Sequence, residues 1–194
     1  MACLSSRILS LSLTLAVPGI ALSIGGCDRQ SEPPAQPAAD TPGKQGAASA
    51  VDRSHAGSAM PDFTLAGPAG RKLRLPDLKG TPVLLNLWAT WCAPCVAELP
   101  ALDKLAESQA GKLKVLTVNQ DSGAPEKAGA FLKQRGVTRL EPWLDPKGDL
   151  AFHYEAPSLP MTVLYDAAGR EVWRIAGPRE WGDAETAKLI AEAQ

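Results

Sequence analysis

The residues of this chain best suited to chemistry are two cysteines, Cys92 and Cys95, which are separated by Ala93 and Pro94. Two thiols at this spacing can close a small disulfide ring. They follow closely on the apolar run 83–88, which predicts a buried strand. Where a helix begins after such a strand, its unpaired N–H groups and its macrodipole stabilise the thiolate of the first cysteine. The motif therefore predicts a redox switch at the point where a strand turns into a helix.

The position of each cysteine predicts its role in dithiol–disulfide exchange. Cys92, at the strand–helix junction, is predicted to be the attacking thiolate, and Cys95, one turn inside the helix, the resolving thiol of a redox disulfide. A structural disulfide or half of a zinc site are the alternatives for such a pair. Zinc would need a second pair of ligands, and the two histidines, His55 and His153, each stand alone. We therefore expect redox catalysis, with no metal and no cofactor.

The two residues between the cysteines indicate the direction of electron flow. Pro94 suits the first turn of a helix because its missing N–H costs little there, and Ala93 contributes neither charge nor a hydrogen bond. No side chain between the cysteines therefore stabilises the reduced thiolate. The Ala-Pro pair favours a reductant over an oxidant.

Three further side chains are candidates for shaping or serving the site. Trp91 and Trp88 flank the end of the strand on opposite faces, so we expect Trp91 to be exposed over the disulfide and Trp88 to join the core. Glu98 lies three residues beyond Cys95 on the same helical face, where a buried carboxyl group could exchange protons with the resolving thiol. The alternative for Glu98 is a solvated carboxylate that favours the N-terminal half of the helix.

The composition bounds the class of protein. The chain has 194 residues, 45% of them hydrophobic, which supports one globular domain with flanking segments. Its formal net charge is −1 and it has no basic stripe, which argues against binding to nucleic acid.

The N-terminus predicts a bacterial lipoprotein. A basic residue precedes the apolar stretch 8–24, and two glycines and Cys27 follow it in a pattern that resembles the lipobox. Residues 1–26 are then a signal peptide of the lipoprotein type, and Cys27 carries the lipid. An uncleaved membrane helix is the alternative, but about 17 residues is short for a span and Pro18 interrupts the stretch.

Residues 27–58 are rich in Pro, Ala, Gly and Ser and predict a flexible tether with a reach of roughly 30 Å. Cleavage of the signal peptide removes Cys3, so the mature protein keeps only the dithiol pair free for chemistry. Asp28, directly after the lipidated cysteine, resembles the signal that retains lipoproteins on the inner membrane. Residues 59–194 are predicted to form the folded domain.

Periodicity and turn residues predict an α/β domain. An N-terminal β-hairpin is expected at 61–65 and 71–75, and a final helix at 181–193. The elements between them are, in chain order, a central strand at 83–88, a helix after the dithiol, a strand at 113–118, a helix at 125–135, and a hairpin at 161–165 and 171–175. This order predicts a central mixed β-sheet flanked by helices.

Several segments together resemble the TlpA/ResA family of the thioredoxin-like superfamily, which comprises membrane-tethered thiol–disulfide reductases of bacteria. The resemblance is carried by residues 85–95, with Glu98 and Pro100 downstream, and by residues 159–162. It continues through 119–121, 125–127, 144–145 and 175–181, and so covers about residues 60–192. The resemblance implies a thioredoxin-like fold with the N-terminal hairpin as an extension.

The resemblance also assigns residues around the dithiol. Pro160 matches the cis-proline that faces the dithiol in this fold, and Leu159 is then expected to line the groove for the partner chain. An ordinary proline at a strand entry is the alternative. Cytosolic thioredoxins carry an aspartate six residues before the first cysteine, where this chain has Asn86. Glu98 is therefore a candidate to supply the acid that Asn86 cannot.

The resemblance implies a periplasm-facing protein disulfide reductase, anchored by lipid to the bacterial inner membrane and kept reduced by a membrane electron donor of the DsbD/CcdA type. Expected partners are copper chaperones and the copper-site cysteines of a cytochrome oxidase subunit, or the haem-attachment cysteines of apocytochrome c. Two alternatives stay open. One is a Cu(I)-binding metallochaperone that uses Cys92, Cys95 and His153, and the other is a dithiol oxidase, which the reduction potential alone distinguishes.

Replacing Cys27 with Ser removes the sulfur atom to which the lipid would be attached. We expect the variant to move from the membrane fraction to the soluble fraction, as measured by immunoblotting after ultracentrifugation. Cys3→Ser is the matched control and stays at the membrane. A Cys27→Ser protein that persists in the membrane fraction would favour a membrane helix instead.

Overall fold

The computed structural model of the protein describes residues 49–194. The predicted signal peptide, Cys27 and most of the predicted tether lie outside the described residues. This part of the chain holds eight strands and four α-helices: β1 (Val51–Asp52), β2 (Thr64–Ala66), β3 (Lys72–Arg74), β4 (Val83–Trp88), α1 (Ala93–Ser108), β5 (Lys114–Asn119), α2 (Pro125–Gln134), β6 (Trp143–Leu144), α3 (Asp149–His153), β7 (Met161–Tyr165), β8 (Glu171–Ala176) and α4 (Ala184–Ala191). None of these helices has both the length and the apolar character needed to cross a membrane.

The strands form one sheet in the order β1-β8-β7-β4-β5-β6-β2-β3. Strands β4, β5 and β6 are parallel to one another, and the other neighbours are antiparallel. All six residues of β4 are buried between β5 and β7, which accounts for its nearly continuous apolar sequence. The predicted α/β architecture is confirmed, and β2 and β3 form the expected N-terminal hairpin.

The core lies on both faces of the sheet, because alternate residues of β4 point to opposite sides. Leu84 and Trp88 pack with buried residues of α1, α2 and α4. Leu85 and Leu87 pack with α3 and with the β2–β3 hairpin. Both cysteines of the motif belong to the first cluster, so the dithiol lies against the core that β4 and α1 build.

A buried ion pair fixes the end of α3 against the sheet. The guanidinium group of Arg174, in β8, donates to both carboxylate oxygens of Glu171 at 2.6 and 2.7 Å, and both side chains are buried. The same guanidinium group donates to the carbonyl oxygen of Tyr154, directly after α3, at 3.2 Å. Removing one member of a buried ion pair typically costs roughly 3–5 kcal/mol. The segment that follows α3 is therefore held in a defined position.

Strand β1 lies inside the segment 27–58, for which the sequence predicts a flexible tether. Val51 pairs with β8, and the N–H of Gly57 donates to the carbonyl oxygen of Glu171 at 2.7 Å. The sheet therefore includes residues from Val51 onward, upstream of residue 59, at which the sequence predicts the folded domain to begin. A strand of two residues is too short to show a periodic pattern, which is why the sequence does not reveal it.

The final helix is shorter than the predicted 181–193. Helix α4 begins at Ala184 because the side chain of Asp183 accepts a hydrogen bond from the N–H of Thr186 at 2.6 Å. An aspartate in this geometry is an N-cap, and the residues before it turn away from the helix axis. The segment 177–182 is consequently a loop that packs against α1.

Candidate active site

The disulfide sits at the N-terminus of α1. Cys92 and Cys95 are joined by a bond between their sulfur atoms, with their Cα atoms 5.3 Å apart. Cys92 is the N-cap residue of α1, and its Sγ accepts a hydrogen bond from the N–H of Cys95 at 3.4 Å. Pro94 occupies the first turn, where no N–H donor is needed. When the disulfide is reduced, this helix end stabilises a negative charge on Cys92 Sγ.

The two cysteines differ in their exposure to solvent. Cys95 is 1% exposed and lies in the core, whereas Cys92 is 6% exposed and lines an open groove of about 570 Å³. This groove is named the cystine groove. One wall consists of Trp91, Cys92 and Pro94, and the other consists of Ala151, Ala156 and Leu159. Both walls are mainly apolar, so the groove offers an apolar surface beside the accessible sulfur.

The loop that carries Trp91 is held by Asp121. The backbone N–H of Thr90 donates to both carboxylate oxygens of Asp121 at 3.2 Å. Asn119 and Asp121 are joined by two further hydrogen bonds of 3.1 Å. Trp91 is 72% exposed beside the cystine groove, while Trp88 is buried in the core. The prediction of an exposed Trp91 and a core Trp88 is confirmed.

The opposite wall of the cystine groove is set by Asp145 and by a cis-proline. The carboxylate of Asp145 accepts a hydrogen bond from the N–H of Leu150 at 2.8 Å, which fixes the start of α3. Leu159 lines the groove, and the Leu159–Pro160 peptide bond is cis, as the family resemblance implies. The carbonyl oxygen of Pro160 accepts a hydrogen bond from the N–H of Gly177 at 2.8 Å.

Glu98 is a buried carboxyl group on α1, one turn after Cys95. Its Oε1 accepts a hydrogen bond from the backbone N–H of Arg179, and within residues 49–194 its buried Oε2 has no partner. Burial raises the pKa of Glu98 to about 7, although the N–H of Arg179 and the indole of Trp181 act to lower it. The alternative of a solvated carboxylate is therefore wrong. In the same part of the chain, neither carboxylate oxygen forms a hydrogen bond with a cysteine sulfur.

Within residues 49–194, neither Asn86 nor His153 forms a hydrogen bond with Cys92 or Cys95. Asn86 is buried, and its Nδ2 donates to Thr162 Oγ1 at 3.0 Å, which ties β4 to β7. His153 lies on the exposed side of α3, with its ring edge-on to Phe63 at 5.7 Å between ring centres. Among the described residues, no three His, Cys, Asp or Glu side chains are grouped as a metal site requires. The structure does not bring His153 together with the two cysteines.

Two residues that position the site, Asp121 and Asp145, enter the sequence analysis only as part of the family resemblance, with no positioning role assigned to them. They follow the parallel strands β5 and β6, just as the dithiol motif follows β4. The carboxyl ends of neighbouring parallel strands meet at one edge of a sheet, where binding sites are commonly built. An acidic residue soon after each strand is the signal that would have indicated them.

A dithiol at the N-terminus of a helix, after the central strand of an α/β sheet and beside a cis-proline, defines a thioredoxin-like thiol–disulfide oxidoreductase. Residues 55–190 match the Redoxin family, and the chain belongs to that family.

The chain is also similar in sequence to proteins named as thioredoxin-like proteins or thiol-disulfide oxidoreductases. The chain is 40% identical over 115 residues to the thioredoxin-like protein YneN of Bacillus subtilis, a match that covers 58% of this chain and 66% of YneN. It is 33% identical over 124 residues to the thiol-disulfide oxidoreductase ResA of the same species, with 62% of this chain and 67% of ResA covered.

Solved structures confirm the thioredoxin-like fold. The exposed lipoprotein thioredoxin Etrx1 of Streptococcus pneumoniae is 32% identical with a TM-score of 0.58, over 66% of this chain and 98% of that protein. A candidate thiol:disulfide interchange protein DsbE from Chlorobium tepidum is 30% identical with a TM-score of 0.62, over 71% of this chain and 96% of that protein.

The buried carboxyl group of Glu98 makes stability depend on pH. Its pKa rises from 4.5 in the unfolded chain to about 7 in the folded protein, so the folded state binds more protons between these values. The contribution of protonated Glu98 to the stability of the fold is complete below pH 4.5 and is lost as the pH rises through about 7. We expect this group to lower the free energy of unfolding by roughly 3 kcal/mol across that range.

Urea denaturation at a series of pH values measures this effect. The Glu98→Gln variant should lack the decrease that the wild-type protein shows. Glu107→Gln, on an exposed part of the same helix, is the matched control and should follow the wild-type curve. Parallel curves for Glu98→Gln and the wild-type protein would contradict the raised pKa.

Proposed function

We propose that the protein reduces disulfides in other proteins by dithiol–disulfide exchange, with Cys92 as the attacking thiolate and Cys95 as the resolving thiol. The observation that carries this proposal is the contrast between the two sulfurs. Cys92 caps α1 and lines the cystine groove, whereas Cys95 lies in the core. A thiolate at a helix N-terminus that an incoming disulfide can reach is the nucleophile that the exchange requires.

The exchange proceeds in two steps. In the reduced protein the Cys92 thiolate attacks one sulfur of the substrate disulfide, and the other substrate sulfur leaves as a thiolate. The Cys95 thiol then gives up its proton and attacks Cys92 Sγ, which releases the second substrate sulfur. Two electrons pass to the substrate, whose two sulfurs leave as thiolates and take up protons from water, while the one proton that the dithiol gives up comes from Cys95. The protein is left with the Cys92–Cys95 disulfide, the state that the structure holds.

Glu98 is proposed to accept the proton that Cys95 loses. A carboxyl group with a pKa of about 7 changes its protonation state near neutral pH, as a general base or acid in this step must. Its place one helical turn from Cys95 supports the role. Glu98→Gln should slow disulfide exchange, and an unchanged pH–rate profile would exclude the role.

The reducing direction is supported by the residues between the cysteines. Ala93 and Pro94 are exposed and offer no charge or side-chain hydrogen bond to the Cys92 thiolate. Within the Cys-Ala-Pro-Cys motif, the reduced form is therefore stabilised by the helix end alone. Strongly oxidising proteins of this class owe their potential to extra stabilisation of the reduced form.

Location and partners follow from the N-terminal sequence and the family resemblance. We place the domain in the periplasm, tethered to the inner membrane through a lipid on Cys27, and the similarity to an exposed lipoprotein thioredoxin supports this placement. A DsbD/CcdA-type membrane protein would supply electrons. The substrates would be copper chaperones and the copper-site cysteines of cytochrome oxidase, or apocytochrome c.

Single-cysteine variants separate the two proposed roles. Cys95→Ser removes the resolving thiol but keeps the nucleophile, so mixing the reduced variant with a disulfide-bonded protein should accumulate a mixed disulfide through Cys92. Cys92→Ser should form little adduct because its remaining thiol is buried. Non-reducing electrophoresis followed by mass spectrometry identifies the linked cysteine. An adduct that forms faster through Cys95 would reverse the assignment.

A further inference from the structure

Two large hydrophobic side chains are exposed in the part of the chain that the structure describes. Trp91 is 72% exposed and Phe152, on α3, is 88% exposed. Trp91 belongs to the dithiol motif, whereas Phe152 has no part in the exchange chemistry. An aromatic side chain next to a reactive site, presented to water rather than packed, marks a surface that a partner covers.

Phe152 lies in a second groove, of about 890 Å³, that runs along α3 and is named the α3 groove. Its lining includes Phe63, Phe152 and His153. Two residues, Ala151 and Ala156, line both the α3 groove and the cystine groove. The apolar surface therefore continues from the reactive sulfur of the motif to the ring of Phe152.

The α3 groove is built on a rigid base. Leu150 is fully buried beneath α3, and its N–H is bound by the carboxylate of Asp145. At the other end of α3, Arg174 binds the carbonyl oxygen of Tyr154. Because the helix is fixed at both ends, a partner that binds Phe152 does not have to order the surface first, which lowers the entropic cost of binding.

The charged side chains that line the α3 groove are negative. Asp149 and Glu155 line it, both are exposed, and neither forms an ion pair within residues 49–194. His153 is the other titratable side chain in the lining, and burial together with Arg174 lowers its pKa, so it is neutral at pH 7. The groove therefore complements an apolar side chain that has a positive charge beside it.

We propose that the α3 groove is a second docking site for the polypeptide that carries the substrate disulfide. It takes an apolar side chain flanked by lysine or arginine, from the same segment that places its cysteine in the cystine groove. The inference rests on the proposed function, because it names the class of substrate that the reductase prefers. Its effect is to select among protein disulfides by the residues that neighbour the cysteine.

The test compares fluorescent peptides that carry Ser in place of Cys, so that binding is measured without any redox step. The peptides contain Phe-Lys-Lys, Phe-Glu-Glu or Ser-Lys-Lys on either side of the former cysteine, and fluorescence anisotropy with the full-length oxidised protein gives each Kd. We expect the Phe-Lys-Lys peptide to bind best. Phe152→Ser should weaken its binding roughly tenfold, as expected for the loss of an aromatic anchor.

Charge reversal tests the chemistry of the partner separately. The double variant Asp149→Lys and Glu155→Lys should reverse the preference between the Lys and Glu peptides, and high salt should reduce the preference of the wild-type protein. Glu107→Lys, which reverses an exposed charge on α1 away from both grooves, is the control and should keep the preference. Reduction of the small uncharged disulfide bis(2-hydroxyethyl) disulfide by each reduced variant should stay at the wild-type rate, which shows that the fold and the dithiol are intact.

The proposal is overturned if the Lys and Glu peptides bind equally, or if Phe152→Ser binds the Phe-Lys-Lys peptide as well as the wild-type protein does. It is also overturned if Phe152→Ser abolishes self-association in sedimentation experiments without changing peptide binding, because a second copy would then be the occupant. Failure to reduce any disulfide, with peptide binding as expected, would count against the proposed reductase and leave the docking site supported.

Discussion

The hydrogen bond from the N–H of Cys95 to Cys92 Sγ is the contact on which the rest of the site depends. It exists because α1 begins where β4 has just ended. Strand β4 is buried on both faces and hydrogen-bonded to β5 and β7, so it cannot shift without breaking two sets of backbone hydrogen bonds and exposing the core. The helix end, and the positive potential that it carries, is therefore presented in a fixed place.

The residues around this helix end either position the walls of the cystine groove or exclude water from the buried side of α1. Asp121 holds the loop before the motif, and Asp145 holds the far wall of the cystine groove, so both walls are positioned by carboxylates that bind backbone N–H groups. On the other side of α1 the core closes over Cys95 and Glu98. Helix α1 thus joins an open, apolar groove to a buried group whose pKa lies near neutrality.

The elements that could be predicted from the sequence are those long enough to carry a pattern. Strands β4, β5, β7 and β8 and helix α2 all lie within one residue of the expected bounds. Strands β1 and β6 have two residues each and helix α3 has five, too few for hydrophobic periodicity to show. The dithiol and the exposed Trp91 follow from local spacing. The burial of Glu98 does not follow from local spacing. The residues next to its carboxyl group, Arg179 and Trp181, lie near the other end of the sequence.

The reduction potential of the Cys92–Cys95 pair decides whether the protein donates or accepts electrons. It is measured by equilibrating the full-length protein with defined ratios of reduced to oxidised dithiothreitol or glutathione and counting free thiols. We expect a value near the reducing end of this class, about −270 mV, because no side chain between the cysteines adds to the stabilisation of the Cys92 thiolate by the helix end. A value near −120 mV, as in strong oxidants, would contradict the reductase assignment and make the protein a donor of disulfides.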